Sequence, residues 1–308
     1  MIDLHGAQTR LLRTIERHKT LAIAVSGGVD SMTLAHFAQR ETGSRILMVH
    51  AASPSVPLRA GERVRDHAAR FGWDLTITDA GEFADPRYRA NPIDRCYFCK
   101  SNLYDRIRDL TDAPIASGAN LDDLDDYRPG LTAARERNVV HPFIEAQFAK
   151  SDVRALARFM GLEDLAELPA QPCLSSRIQT ALELSEADLA FVDAMEQEAA
   201  DLLPPTTTVR CRITRDGVVL ELGSVGGIQK HALTGRATDM CRHAGRRFVG
   251  IKDYVRGSAF VRALRCQTCV SISIVRPERA FRKPPSANTR APPRLRRSPS
   301  PSRRRAAE

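Results

Sequence analysis

Long apolar runs are the first thing this 308-residue sequence lacks. No apolar stretch approaches the roughly 18 residues that a membrane-spanning helix needs, which excludes such a span. Met1–Arg10 contains Asp3 and His5 and no apolar core, so no secretory leader is expected and the cytoplasm is the default compartment. Internal repeats are absent too, so a repeat architecture is excluded.

Net charge is missing from most of the chain. The formal total is +9, but residues 276–308 alone hold eleven Lys or Arg against Glu278 and Glu308, while residues 1–275 balance 35 basic with 35 acidic residues. A neutral body argues against a nucleic-acid-binding surface, which needs a basic patch. The basic extension is the one place where nucleic acid or another acidic partner could be held. It has only Phe281 among aromatics, so the stacking side chains that grip single strands are nearly absent. Seven of the 18 prolines lie there as well. Seven cysteines in a reducing compartment are free, metal-bound or catalytic rather than disulfide-paired.

The apolar residues that are present alternate between two patterns. Leu21–Val25, Ile46–Ala51, Trp73–Thr78 and Pro114–Ser117 are short apolar runs of buried-strand type. Between and around them Leu4–His18, Ser31–Gln39, Gly61–Phe71 and Cys99–Leu110 read as helices. This alternation predicts an α/β fold, a parallel sheet with helices on both faces. Further on, Ser151 caps a predicted helix to Met160 that Gly161 stops, and Ser185 caps another over Glu186–Leu203. Val209–Ile213 and Val218–Leu222 form a predicted hairpin turned at Asp216-Gly217. The expected organisation is a nucleotide-binding α/β domain over 1–170, a smaller α+β domain over 171–270, and a disordered Pro/Arg/Ser-rich tail over 271–308.

Between the first strand and its helix stands Ser26-Gly27-Gly28-Val29-Asp30-Ser31. Glycines let the backbone approach an anion, the Ser26 and Ser31 hydroxyls add donors, and the helix aims its first amides at the loop. Asp30 is placed to aid magnesium or to cap the helix. The Walker A spacing and its lysine are missing. The segment resembles the loop of PP-loop ATP pyrophosphatases, of the adenine nucleotide α-hydrolase-like fold. That resemblance implies ATP and Mg2+, adenylation of a substrate and release of pyrophosphate.

Four more segments narrow the class: NPIDRCYFCKSNLY (91–104), SGANLDDLDDYRPG (117–130), KSDVRALARFMGL (150–162) and PCLSSRI (172–178). Their order and spacing resemble the LarE family, ATP-dependent sulfur transferases that build a nickel-pincer nucleotide. The likeness covers roughly residues 8–258. It implies that a carboxylate of pyridinium-3,5-biscarboxylic acid mononucleotide, a small-molecule substrate, is adenylated and exchanges oxygen for sulfur. Cys173 falls on the family's sulfur donor. On its own, a lone cysteine reads first as a small buried hydrophobe; beside Arg177, a thiolate becomes a nucleophile. Ser176 follows in the same segment and joins the implied substrate set. Glu196 falls on the family's active-site glutamate, against a solvated helix face as the alternative. Arg210 and Arg212 flank Cys211 on one strand face and suit a substrate phosphate, against a solvated strand face. Cys96 and Cys99 form C-x2-C before Lys100, open to metal ligation, redox exchange or no role. With Cys173 they match the three ligands of a [4Fe-4S] cluster found in some members; the other version consumes Cys173 itself. Cys266 and Cys269 make a second C-x2-C beyond the likeness. Asp122, Asp126 and Arg128 lie in the segment the family sets beside the nucleotide, against an acidic solvated loop as the alternative. Family members assemble as homo-oligomers. After Arg177 the family shows a Pro-Tyr-Gly-Thr-like turn, where this chain has Gln179-Thr180-Ala181-Leu182. A tRNA thiolase of the same superfamily is the alternative enzyme, and nucleic-acid binding through the tail the alternative outside enzymes.

Overall fold

Leucine, isoleucine and alanine alternate through Leu21–Ile23 without a polar break, and the consequence is a strand buried on both faces. In the computed structural model, which describes residues 4–125, 128–204 and 207–255, this is β1 (Thr20–Ala24), at the centre of the first sheet. The elements before the second sheet are α1 (Leu4–Glu16), β1, α2 (Val29–Glu41), β2 (Arg45–Ala51), α3 (Leu58–Phe71), β3 (Leu75–Thr78), α4 (Pro86–Arg89), α5 (Arg95–Leu110), β4 (Ile115–Ala116), α6 (Pro129–Glu136), α7 (Pro142–Glu145), α8 (Lys150–Phe159) and α9 (Glu163–Ala166). The order β3-β2-β1-β4 is parallel throughout. Successive residues of β1 serve opposite faces: Leu21 and Ile23 pack with α1, α2 and α8, and Ala22 with Leu103, Tyr104 and Ile107 of α5 and Ala134 of α6. Helices therefore cover both faces, and α2, buried from Ser31 to Ala38, runs through the larger core.

The second sheet contains β5 (Val209–Thr214), β6 (Gly217–Leu222) and β7 (Phe248–Asp253), preceded by α10 (Glu186–Asp201), with α11 (Gly227–His243) between β6 and β7. β5 and β6 form the expected antiparallel hairpin, and Gly217 takes a φ of +124° at its turn. The parallel strand β7 and the helix before it are additions, since weak periodicity had hidden both. Leu189, Val192 and Met195 of α10 cover Cys211, Val218 and Leu220 of the sheet, and Tyr88 from α4 enters this same core.

Several expected boundaries shift. The helix α5 starts at Arg95 rather than Cys99, so Cys96 and Cys99 both lie in its first turns, on one face at i, i+3. The helix α3 starts at Leu58 rather than Gly61, and Trp73 precedes β3 as a core side chain. Ser151 is not the cap of α8. Ala149 holds that place, and the Asp152 carboxylate accepts the Ala149 N–H at 2.9 Å, so the acid three residues on outcompetes the serine. Gly161 does stop the helix, at φ +72°. No helix among the described residues is long and apolar enough to cross a membrane. Asp126, Cys266, Cys269 and the basic tail lie outside the described residues.

Candidate active site

Strand β1 delivers the glycine-rich loop to the carboxyl edge of the parallel sheet, the edge where ligands of such folds collect. Gly27 has a φ of +78°, and a Cβ there would stand 2.4 Å from the Ala60 carbonyl oxygen, so the loop and the first turn of α3 touch backbone to backbone. The Ser31 hydroxyl is turned inward: it accepts the Ser26 N–H at 3.0 Å and meets the Ser26 hydroxyl at 3.1 Å. It braces the loop from within. No side chain caps the first turn of α2, which leaves its amides facing the loop's concavity. Gly118, from the segment after β4, comes so close that a Cβ there would lie 2.6 Å from the Ser31 nitrogen.

Asp30 is held from two sides. Asn120 Nδ2 donates to one carboxylate oxygen at 3.1 Å and the Lys150 ammonium pairs with the other. Lys150 is placed in turn by Asp122, whose carboxylate accepts its backbone N–H at 3.0 Å. Asp123 accepts the Asn120 N–H and pairs with Arg128 at 2.8 Å. The acidic segment thus fixes the partners of Asp30. Sequence reasoning missed Asn120 and Lys150, although both stand in quoted segments; their pairing with Asp30 spans 90 and 120 residues.

Cys173 opens a short 3-10 turn, Leu174–Arg177, on the same sheet edge. The Leu174 N–H donates to the Ser55 carbonyl at 2.8 Å, in the loop after β2. Behind it three buried hydroxyls close a triangle: Ser55 to Tyr88 at 2.5 Å, Tyr88 to Ser175 at 2.7 Å and Ser175 to Ser55 at 2.9 Å. Arg177, 2% exposed, gives Nε and Nη2 to the two oxygens of Glu196 at 2.9 Å each. Its Nη1 reaches the carbonyls of Pro172 and Cys173 at 2.6 and 3.1 Å. Glu196 also accepts the Cys211 N–H at 2.9 Å. The guanidinium is therefore neutralised by Glu196, and its geometry is that of a clamp on the backbone around Cys173. Asn91 completes the support, donating to the Gln179 carbonyl at 3.0 Å and accepting the Ala181 N–H through its own carbonyl at 3.0 Å. Ser55, Tyr88 and Asn91 carried no sequence signal of this role.

The three thiols of the sequence motif share one neighbourhood. Burial raises the Cys99 thiol to about 12, with Lys100 opposing and Cys173, Glu82 and Cys96 adding to the rise. Cys96 is raised by burial and then by Cys173, while Arg95, Lys100 and Arg128 pull it down. All three are free and partly accessible. As the side chains stand, no group of three or more His, Cys, Asp or Glu among the described residues is arranged to hold a metal ion. The three cysteines thus stand near one another as free thiols.

Arg210 and Arg212 share a strand face, as alternation requires, but differ in commitment. Arg212 is buried, pairs with Glu221 at 3.0 Å and donates to the Ser176 carbonyl at 2.8 Å. Arg210 donates to the Val209 and Ala170 carbonyls at 2.6 and 2.7 Å and lies over Tyr254, with no carboxylate partner among the described residues. Burial lowers its pKa, and the field of Arg177 lowers it further. Ser176, 9% exposed, accepts from Arg177 at 3.0 Å.

Fold and site together define an α/β protein with a glycine-rich loop and a cysteine-bearing turn on one sheet edge. No family model matches the chain. It is 40% identical over 178 residues to the uncharacterized protein slr1717 of Synechocystis sp., covering 56% of this chain and 66% of that one. It is 29% identical over 215 residues to the pyridinium-3,5-bisthiocarboxylic acid mononucleotide synthase of Lactiplantibacillus plantarum, covering 68% and 78%. The uncharacterized protein MJ0830 of Methanocaldococcus jannaschii matches at 25% over 185 residues, covering 59% and 69%. The chain thus spans just under two thirds of the first of these relatives and more of the other two.

Proposed function

We propose that this chain is a LarE-type ATP-dependent sulfur transferase acting on pyridinium-3,5-biscarboxylic acid mononucleotide. A substrate carboxylate oxygen attacks the α-phosphorus of ATP, giving an acyl adenylate and pyrophosphate. The Cys173 thiolate then attacks the acyl carbon, AMP leaves, and a thioester forms. Loss of the Cys173 Cα proton with cleavage of its Cβ–S bond leaves dehydroalanine in the chain and a thiocarboxylate on the product. The observation that carries this reading is the docking of the cysteine turn on the edge that bears the glycine-rich loop, through Ser55 to Leu174 and through Arg63 to both Gly27 and Gln171. The name of the Lactiplantibacillus relative supports the product class.

In this scheme Ser26, Gly27, Gly28 and Ser31 shape the cradle for the ATP phosphates, and Asp30 attracts magnesium in competition with Lys150. Arg177 and Glu196 hold the turn so that Cys173 faces the acyl carbon. Arg210, which has no carboxylate partner among the described residues, takes the substrate phosphate, while Arg212 and Ser176 shape the wall beside it.

The test is intact mass before and after a single anaerobic turnover with ATP and the nucleotide. A loss of about 34 Da, hydrogen sulfide, is expected if Cys173 is consumed. An unchanged mass with bound iron and its visible absorbance would instead assign the sulfur to a cluster on Cys96, Cys99 and Cys173. Absence of both, with no pyrophosphate released, would sink the reading. Cys173→Ala is expected to stop thiocarboxylate formation while ATP–pyrophosphate exchange continues.

A further inference from the structure

The glycine-rich loop has no cation of its own, since the lysine of a Walker A loop is missing from it. Two cations reach it from elsewhere. Lys150 is spent on Asp30. The other is Arg63, one turn into α3, whose Nη1 donates to the Gly27 carbonyl at 2.7 Å and reaches Gln171 Oε1 at 3.5 Å. Among the described residues nothing accepts from its Nε or Nη2, and no carboxylate pairs with it. Asp164, the acid whose field reaches it, is itself bonded to His67 at 3.1 Å.

This sets Arg63 apart from Arg177 and Arg212. Arg177 and Arg212 each have a carboxylate that discharges them. Arg63 is a partly buried cation with no paired carboxylate among the described residues, and burial pulls its pKa below the ordinary arginine value, with the field of Asp164 opposing. Desolvating a guanidinium without a counter-ion is unfavourable, and the open Nε/Nη2 edge is the fork that binds phosphate bidentately. With Nη1 anchored on Gly27, that edge is held beside the loop.

We propose that Arg63 is a further phosphate-binding residue of this site, taking the β- and γ-phosphates of ATP and the pyrophosphate that leaves. The assignment rests on the adenylating reading above. Through Gln171, two residues before Cys173, the same guanidinium spans the phosphate and sulfur halves of the site.

The experiment measures the affinity of magnesium pyrophosphate for the full-length protein by calorimetry, and the KM for ATP in pyrophosphate exchange. Arg63→Ala should weaken both by about 10- to 100-fold, the range for losing one charge-assisted contact. Arg63→Lys should restore most of the affinity by restoring the charge. Arg63→Gln keeps a donor for the Gly27 carbonyl without the charge, and should behave like Arg63→Ala. If Arg63→Gln binds pyrophosphate as the parent does, the arginine serves only the loop's structure and the proposal is overturned; parental affinity in Arg63→Ala overturns it as well. A thermal melt identifies a variant that has lost its fold, in which case the Lys and Gln pair decides. A parent protein that binds no pyrophosphate and exchanges none overturns the adenylating reading, and this inference with it.

Discussion

The glycine-rich loop and the cysteine turn sit on one sheet edge but are built in opposite ways. The first is local: six consecutive residues running from just after β1 into the first turn of α2, braced by Ser26 and Ser31 five positions apart. The second is assembled from afar, with Ser55, Tyr88, Asn91, Glu196 and Arg212 all holding the residues from Leu174 to Gln179. A local device is carried whole by its segment, whereas a distributed one depends on the rest of the fold being in place. The largest effect expected from this difference is at the Arg177–Glu196 pair. Glu196→Ala leaves a guanidinium that is 2% exposed without its carboxylate, which should cost about 3–5 kcal/mol in urea unfolding. Arg177→Met with Glu196→Leu should cost much less than either single change, because no charge is then stranded. Equal losses for the single and double variants would show that the pair is not what holds the turn.

The same difference decides what the sequence could tell. The strand–helix alternation, both sheets' first strands and the hairpin at Asp216-Gly217 are patterns of near neighbours, and they were readable. So was the glycine-rich loop. Cys173, Arg177 and Glu196 were legible as residues through their segments, but what Arg177 does was not. Its pairing with Glu196, nineteen residues away on another element, is a contact that no local pattern announces. The triangle of Ser55, Tyr88 and Ser175 joins positions up to 120 residues apart, and serine and tyrosine at such spacings carry no periodic signal. The strand β7 escaped for a different reason: only Phe248 and Ile251 of its six residues pack against the core.

The local loop should be broken by a single methyl group. Gly27→Ala adds a Cβ at a φ of +78° and 2.4 Å from a backbone oxygen that cannot rotate away. A loss of about 2–4 kcal/mol is expected from strain and overlap together, with α3 displaced from the loop. An unaltered denaturation midpoint would mean that the loop and α3 are looser than their contact implies.

Acid should attack the same local half of the site. His36, on α2 behind the loop, is buried with both ring nitrogens unpartnered and packs edge-on against Phe71 at 4.4 Å between centroids. Burial, with Arg40, His67 and Arg70 adding to it, lowers its pKa from 6.5 to about 4. The unfolded chain therefore binds the proton first, so the stability present above about pH 6.5 is lost as pH falls towards 4, by roughly 2–3 kcal/mol. His36→Phe should flatten that part of the stability–pH curve. A slope unchanged by the substitution would place the acid sensitivity elsewhere, in His50 or His141, which burial also lowers.

The smallest expected effect runs the other way and concerns the distributed half. Ala181 is exposed and takes a φ of +66°, in the turn where LarE proteins commonly carry a glycine and this chain has Gln179-Thr180-Ala181-Leu182. Its backbone is held there from outside, by the Ala181 N–H to the Asn91 carbonyl at 3.0 Å. A non-glycine residue in this region costs about 1 kcal/mol, so the turn is kept by its distant partner against its own local preference. Ala181→Gly should raise stability by about that amount, a shift of roughly 2–4 °C in Tm. Asn91→Ala leaves that backbone carbonyl in place and removes only the side-chain bonds to the Ile178 and Gln179 carbonyls, so its loss should simply add to the gain from Ala181→Gly. A loss from Asn91→Ala that shrinks in the glycine background would instead mean that the Asn91 side-chain bonds are what keep Ala181 in its left-handed conformation.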